Sequence, residues 1–133
     1  MSQQNVTLIQ DLYQAFGKGD VPAVLGAMAP DIEWREAEGF VYADGNPFMG
    51  PEAILHGVFV RLATEWDGFT VNTAAFHDAG DIVIATGRYT GAYKATGKKL
   101  NAQFAHFWTI KDGKLTHFQQ YTDTLQSSQV TGK

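Results

Sequence analysis

The chain has 133 residues, the length of one domain and enough to bury a core. With 44% hydrophobic and 18% charged residues it reads as globular rather than disordered, and a net charge of −4 with scattered Lys and Arg argues against a nucleic-acid partner. The absence of cysteine excludes disulfides, thiol catalysis and Cys-based metal sites.

The opening "MSQQNVTLIQ" has no basic region and no long apolar run, and no later stretch is apolar for long enough to cross a membrane. A soluble cytoplasmic protein is the expectation. From about Asn5 to Phe16, the residues Ile9, Leu12, Tyr13 and Phe16 form one helical stripe, stopped by Gly17. Asp20 as N-cap and Pro22 in the first turn begin a second short helix carrying Val21, Val24, Leu25 and Met28, ending near Pro30. "DIEWREAEG" then alternates, placing Ile32, Trp34 and Glu36 on one strand face and Glu33 and Arg35 on the other. Glu38 to Met49 reads as a long loop of the kind that forms lids or rims. Gly50–Pro51 opens a third helix with Ile54, Leu55, Val58, Phe59 and Leu62 on its apolar face.

From Phe69 onward the pattern is strand after strand, with turns at "HDAGD", "KATGKK" and "KDGK". Helices followed by an antiparallel sheet of about four strands is an α+β layout. A curved sheet with helices in its hollow fits the lengths. One domain is expected over 1–125, with a polar, frayed tail at 126–133.

The Asp112–Gly113 turn sets a register by counting. It predicts Trp108 opposite His117, His106 opposite Gln119, Phe104 opposite Tyr121 and Ala102 opposite Asp123, all on the helix-covered face. An even loop at Thr96–Gly97 would set Tyr89 opposite Phe104, Gly87 opposite His106 and Ala85 opposite Trp108. Small residues beside His106 and Trp108 leave room for a cavity, unless Gly87 marks a bulge. Phe107 and Phe118 fall on the outer face.

The stretches "LIQDLYQAFGKGDVPAVLGAMAPDIEW", "GPEAIL" and "HFWTIKDGKLTHFQQYTDT" resemble the SnoaL-like branch of the nuclear transport factor 2-like superfamily. The resemblance implies a cone-shaped α+β barrel, with three helices against a bent sheet and a pocket within. It also implies a homodimer through the outer sheet face, and either an activity among ketosteroid isomerases, polyketide cyclases, epoxide hydrolases and dehydratases, or no catalysis at all, as a ligand carrier or a dimeric protein-association module. By spacing, Glu36 matches the carboxylate base of the ketosteroid isomerases, and His106 their oxyanion-hole acid. Their oxyanion tyrosine matches Leu12, with Tyr13 expected to point elsewhere. Asp123 matches an acid/base aspartate of the polyketide-cyclase members.

The candidate catalytic residues are therefore Glu36, His106 and Asp123. Trp34, Tyr89, Phe104, Trp108, Gln119 and Tyr121 are the candidate substrate-binding residues. A carboxylate sharing a face with Trp34 has its charged form disfavoured, as a base abstracting a proton beside a carbonyl requires. The expected ligand is a small hydrophobic carbonyl compound. Plainer roles stay open: Glu36 at a solvent-facing strand end, His106 paired with Gln119, Asp123 capping a loop, and the aromatics as ordinary core. A metal held by His106, His117 and carboxylates lacks a tight ligand motif. With G-x-G-x-x-G, the P-loop and G-x-S-x-G all missing, no cofactor is expected.

Overall fold

The computed structural model describes residues 2–133. Helix α1 (Ser2–Gly17) buries Ile9 and Leu12, and α2 (Val21–Gly26) starts from Asp20, whose side chain accepts from the Ala23 N–H at 3.2 Å. Strand β1 (Met28–Arg35) begins two residues after α2, so Met28 belongs to the strand and not to the helix. Pro30 falls where the pairing of β1 is interrupted, between Met28 and Glu33, the place in a sheet that tolerates a missing N–H.

The segment expected to be an open loop is tied down. Phe40, Tyr42 and Phe48 are buried, a short 3₁₀ turn spans Ala43–Gly45, and β2 (Phe48–Met49) pairs with β1. Residues 51–65 form a continuous helical rod: α3 (Pro51–Ile54), a π-helical turn (Leu55–Phe59) and α4 (Val60–Glu65).

Strands β3 (Trp66–Ala79), β4 (Ile82–Tyr93), β5 (Lys99–Lys111) and β6 (Lys114–Thr122) complete a six-stranded sheet, ordered β2-β1-β6-β5-β4-β3. The four antiparallel strands expected from Phe69 onward are β3–β6. The sheet is not antiparallel throughout, because β1 runs parallel to β6, and β1 with β2 brings it to six strands. The sheet curves around α1 and the 51–65 rod, giving the expected α+β architecture of a bent sheet with helices in its hollow. No helix among the described residues is long and apolar enough to cross a membrane.

The tail is also ordered. Asp123 caps α5 (Thr124–Thr131), Gly132 ends it in the left-handed region, and Val130 is buried in one apolar cluster with Leu100 and Ala102. The expected frayed tail at 126–133 is thus helix, held to β5 where the Gln126 Oε1 accepts from the Asn101 N–H at 2.7 Å.

Two register findings position everything that follows. At the closing hairpin, Asp112 and Gly113 both adopt positive φ, and Lys111 faces Lys114 as expected. Ile110 then faces Leu115, but Thr109 faces His117, leaving Thr116 as an unpaired bulge residue. Beyond it every β6 side chain changes face. The partner of His106 is Gln120, that of Trp108 is Phe118, and that of Phe104 is Thr122. Phe118, expected outside, is buried and stacks on Trp34 with ring centroids 3.8 Å apart. Burying that ring favours the bulged register by about 2–3 kcal/mol.

Between β4 and β5 the parity holds, but the register moves by two: Tyr89 faces Ala102, Gly87 faces Phe104 and Ala85 faces His106. Gly87 does not open a cavity. It lies beside a bulge in β3, between Thr73 and Ala75, and a Cβ there would meet the Asn72 carbonyl oxygen at 1.9 Å. Gly87→Ala should therefore cost more than about 2 kcal/mol of stability, because backbone has to move. Denaturant unfolding checks this, and a change within about 0.5 kcal/mol would show that the bulge relaxes freely.

Candidate active site

The hollow between sheet and helices encloses about 60 Å³ of free space, several times what one water needs. Leu12 and Phe16 of α1, Val58 and Phe59 of the rod, and Phe69 and Val71 of β3 make its walls largely apolar. Into this setting the chain brings Glu36, Tyr13, Tyr89, His106 and Gln120, with the indoles of Trp34 and Trp108.

Glu36 follows β1 directly and inherits its inward parity, being only 3% exposed. Its position is fixed from outside the cavity. The Asn46 Oδ1 accepts from the Glu36 N–H at 2.9 Å, and the Asn46 Nδ2 donates to the Glu36 carbonyl at 2.7 Å, replacing a strand partner with one side chain. The carboxylate accepts from the Trp34 indole N–H at 3.2 Å. Burial pushes its pKa up to about 8, against the opposing pull of that hydrogen bond and of the Arg61 charge.

His106 is buried between Tyr13 and Tyr89. Its Nδ1 lies 2.5 Å from the Tyr13 hydroxyl, and its Nε2 contacts the Tyr89 hydroxyl. Phe104 stacks on the imidazole at 4.2 Å, so it braces His106 from within the core and does not line the cavity. Burial pushes the imidazole down to about 3, leaving it neutral at ordinary pH. The same desolvation raises the pKa of both phenols, so they too stay neutral.

Besides Phe104, the structure corrects three further site expectations. Gln119 and Tyr121 point outward because of the Thr116 bulge: Gln119 bonds the Gln120 carbonyl, and Tyr121 is 55% exposed. Asp123 lies beyond the end of β6, where it accepts from the Gln126 N–H at 3.1 Å as the cap of α5. The same parity change separates His117, which is exposed, from buried His106, so the two cannot share a metal. Conversely, Tyr13 and Gln120 are cavity residues that sequence reasoning missed. Gln120 could have been found, because Leu115 and Phe118 are both core residues, and an odd spacing between them within one strand requires a bulge.

The SnoaL-like domain profile matches residues 9–118. The chain belongs to this SnoaL-like family. A nuclear transport factor 2-like protein from Burkholderia thailandensis E264 is 41% identical over 96% of both chains, with a TM-score of 0.90. TerC, whose structure was determined with polyporic acid, is 27% identical over 97% of this chain and 98% of its own, with a TM-score of 0.84. IdmH from Streptomyces antibioticus, a proposed polyketide cyclase, shares 19% identity over 96% and 97% of the two chains, with a TM-score of 0.77, a likeness of fold. A comparison with curated proteins gave no match. Within the SnoaL-like frame, the Glu36 and His106 matched by spacing to the ketosteroid isomerases do share one cavity, while Asp123 stands apart. Tyr13, next to Leu12, sends its side chain to His106.

Proposed function

We propose that this SnoaL-like protein is an acid–base isomerase, cyclase or dehydratase acting on a small, largely apolar carbonyl compound. The observation that carries the reading is a carboxylate 3% exposed in an aromatic cavity that a neutral tyrosine–histidine–tyrosine array also lines. In this reading ionised Glu36 removes a proton from the carbon beside the carbonyl. The C–H electron pair forms the enolate C=C bond, and the carbonyl π pair moves onto oxygen, where a phenol hydrogen stabilises the developing charge. Glu36 then returns the proton at the far end of a dienolate; or the enolate attacks a second carbonyl carbon of the same molecule, whose π pair moves onto its oxygen and takes the proton from Glu36 as the ring closes; or a β-hydroxyl leaves with that proton as water. With a pKa of about 8, roughly a tenth of Glu36 is ionised at pH 7, close to the balance that favours a general base. The TerC complex supports an organic oxygen-bearing ligand for this chain too. The test is hydrogen–deuterium exchange at the α-carbon of small cyclic ketones in D₂O, followed by NMR. Exchange above the buffer rate is expected; no exchange with any ketone would leave Glu36 without a reaction.

A second reading, a non-catalytic ligand carrier, is favoured by the neutrality of Glu36 and His106 at pH 7, which suits retention of an uncharged guest. Ligand pulled down with the protein and never turned over would identify it. The same proposal includes a homodimer through the outer sheet face, now resting on Phe107 and exposed Tyr121, whose rings meet edge-on at 5.6 Å, and not on Phe118. Tyr121→Glu should shift sedimentation from dimer to monomer; an unchanged dimer would place the interface elsewhere.

A further inference from the structure

Five groups run in a chain along one cavity wall: Trp108, Tyr13, His106, Tyr89 and Gln120. Its two ends have no choice of role. The Trp108 indole N–H donates to the Tyr13 hydroxyl at 2.9 Å and accepts nothing. The Gln120 carbonyl is already engaged by the Ala37 N–H at 3.0 Å, so its amide nitrogen must donate to the Tyr89 hydroxyl, at 2.9 Å. Each tyrosine oxygen thus has one lone pair occupied and faces one ring nitrogen of His106.

The two oxygen–nitrogen contacts need one hydrogen each. Two phenols and a neutral imidazole bring three. One hydroxyl hydrogen is left over, always on the tyrosine that accepts the imidazole N–H. A protonated ring would leave two over, so at least one hydrogen is in excess whatever the charge of His106, and with the ring neutral it is one. Among the described residues, neither hydroxyl has a further acceptor within bonding reach, and both tyrosines are among the residues that line the cavity. A buried hydroxyl hydrogen without an acceptor is costly, and a ligand oxygen removes that cost.

We infer that the Tyr13–His106–Tyr89 relay holds one hydrogen in excess of its internal acceptors, that a carbonyl or enol oxygen of the ligand captures it, and that His106 changes tautomer according to which tyrosine the ligand meets. A ligand oxygen at Tyr13 selects the Nδ1–H form, with Tyr89 donating to Nε2. One at Tyr89 selects the Nε2–H form, with Tyr13 donating to Nδ1. A hydroxy-carbonyl ligand spanning both ends can be passed a proton. Tyr13 gives its hydrogen to the carbonyl oxygen and takes the one on Nδ1, while Nε2 takes the hydrogen of Tyr89, which takes the ligand's hydroxyl hydrogen. The ligand is left protonated at one oxygen and deprotonated at the other, the tautomer is inverted, and the protein's charge is unchanged. The relay meets a ligand only if the cavity is the binding site, as proposed above.

The test uses the full chain with ¹⁵N-labelled histidine and cyclohexanone, which accepts hydrogen bonds and donates none. Long-range proton–nitrogen NMR at pH 7 should show His106 with one bare ring nitrogen, driven to a single tautomer as cyclohexanone saturates. That tautomer should pair with the variant that weakens binding about fivefold or more: Nδ1–H with Tyr13→Phe, Nε2–H with Tyr89→Phe. The opposite pairing, undiminished binding to both variants, or no binding to the wild type would overturn the relay. Should a variant fail to fold, the wild-type spectrum decides alone, because a tautomer mixture unmoved by saturating ketone also overturns it. No step of this test measures turnover, so failure of the relay and failure of Glu36 as a base are told apart.

Discussion

Glu36→Gln should slow ketone α-proton exchange by about 10² to 10⁴, the usual contribution of a positioned base. The substitution keeps the shape of the side chain and, through its amide oxygen, an acceptor for the Trp34 indole N–H, so the loss reports the missing proton acceptor and not a collapsed wall. The pH profile carries the sharper test. Only ionised Glu36 can abstract a proton, so the wild-type rate should climb with pH and level off above about 8. His106 adds no inflection in that range, because burial keeps it neutral down to about pH 3. A rate that the Gln variant retains, or a profile with its inflection in the ordinary carboxylate range near 4, would remove Glu36 from the chemistry.

The same pair of groups sets an unusual dependence of stability on pH. Glu36 holds its proton up to about pH 8 in the folded chain, against 4.5 for an ordinary glutamate. Between those values folding takes up a proton, and stability falls as pH rises, by up to about 1.4 kcal/mol per unit. His106 acts in the opposite sense. It charges near 6.5 when unfolded and only near 3 when folded, so stability rises with pH across that span. The two slopes cancel between 4.5 and 6.5. Their sum climbs below that plateau and declines from 6.5 to 8. The difference between wild type and Glu36→Gln isolates the glutamate contribution: the variant should match the wild type near pH 4 and exceed it by a growing margin toward pH 8. Melting temperatures that run parallel across the range would mean that Glu36 ionises freely in the fold.

Much of the fold was legible because its signals are local. Asp20 and Pro22 mark the start of α2, Gly50–Pro51 the rod, and Asp112–Gly113 the last turn, each by its own backbone chemistry. The alternation of Ile32, Trp34 and Glu36 gave the inward carboxylate correctly. What failed was non-local. The parallel pairing of β1 with β6 joins residues far apart in sequence and leaves no turn signature. The Thr116 bulge obeys the need to bury Phe118, a tertiary demand that overrides a simple count from the turn, and it carried Gln119 and Tyr121 out and Gln120 in. Tyr13 was misplaced because a helical wheel gives direction but not reach, and this long side chain extends from α1 to β5. Asp123 became a helix cap only because the polar tail folds, with Val130 supplying its apolar anchor.

The unpaired threonine in β6 ties two surfaces to one position. Whatever faces the hollow from the distal part of that strand is interleaved with whatever faces outward, so a deletion at 116 would exchange the two sets wholesale. Guest selectivity and the outer sheet surface therefore cannot be retuned independently by changing the length of this hairpin; substitution at fixed length is the route left open for diversifying either.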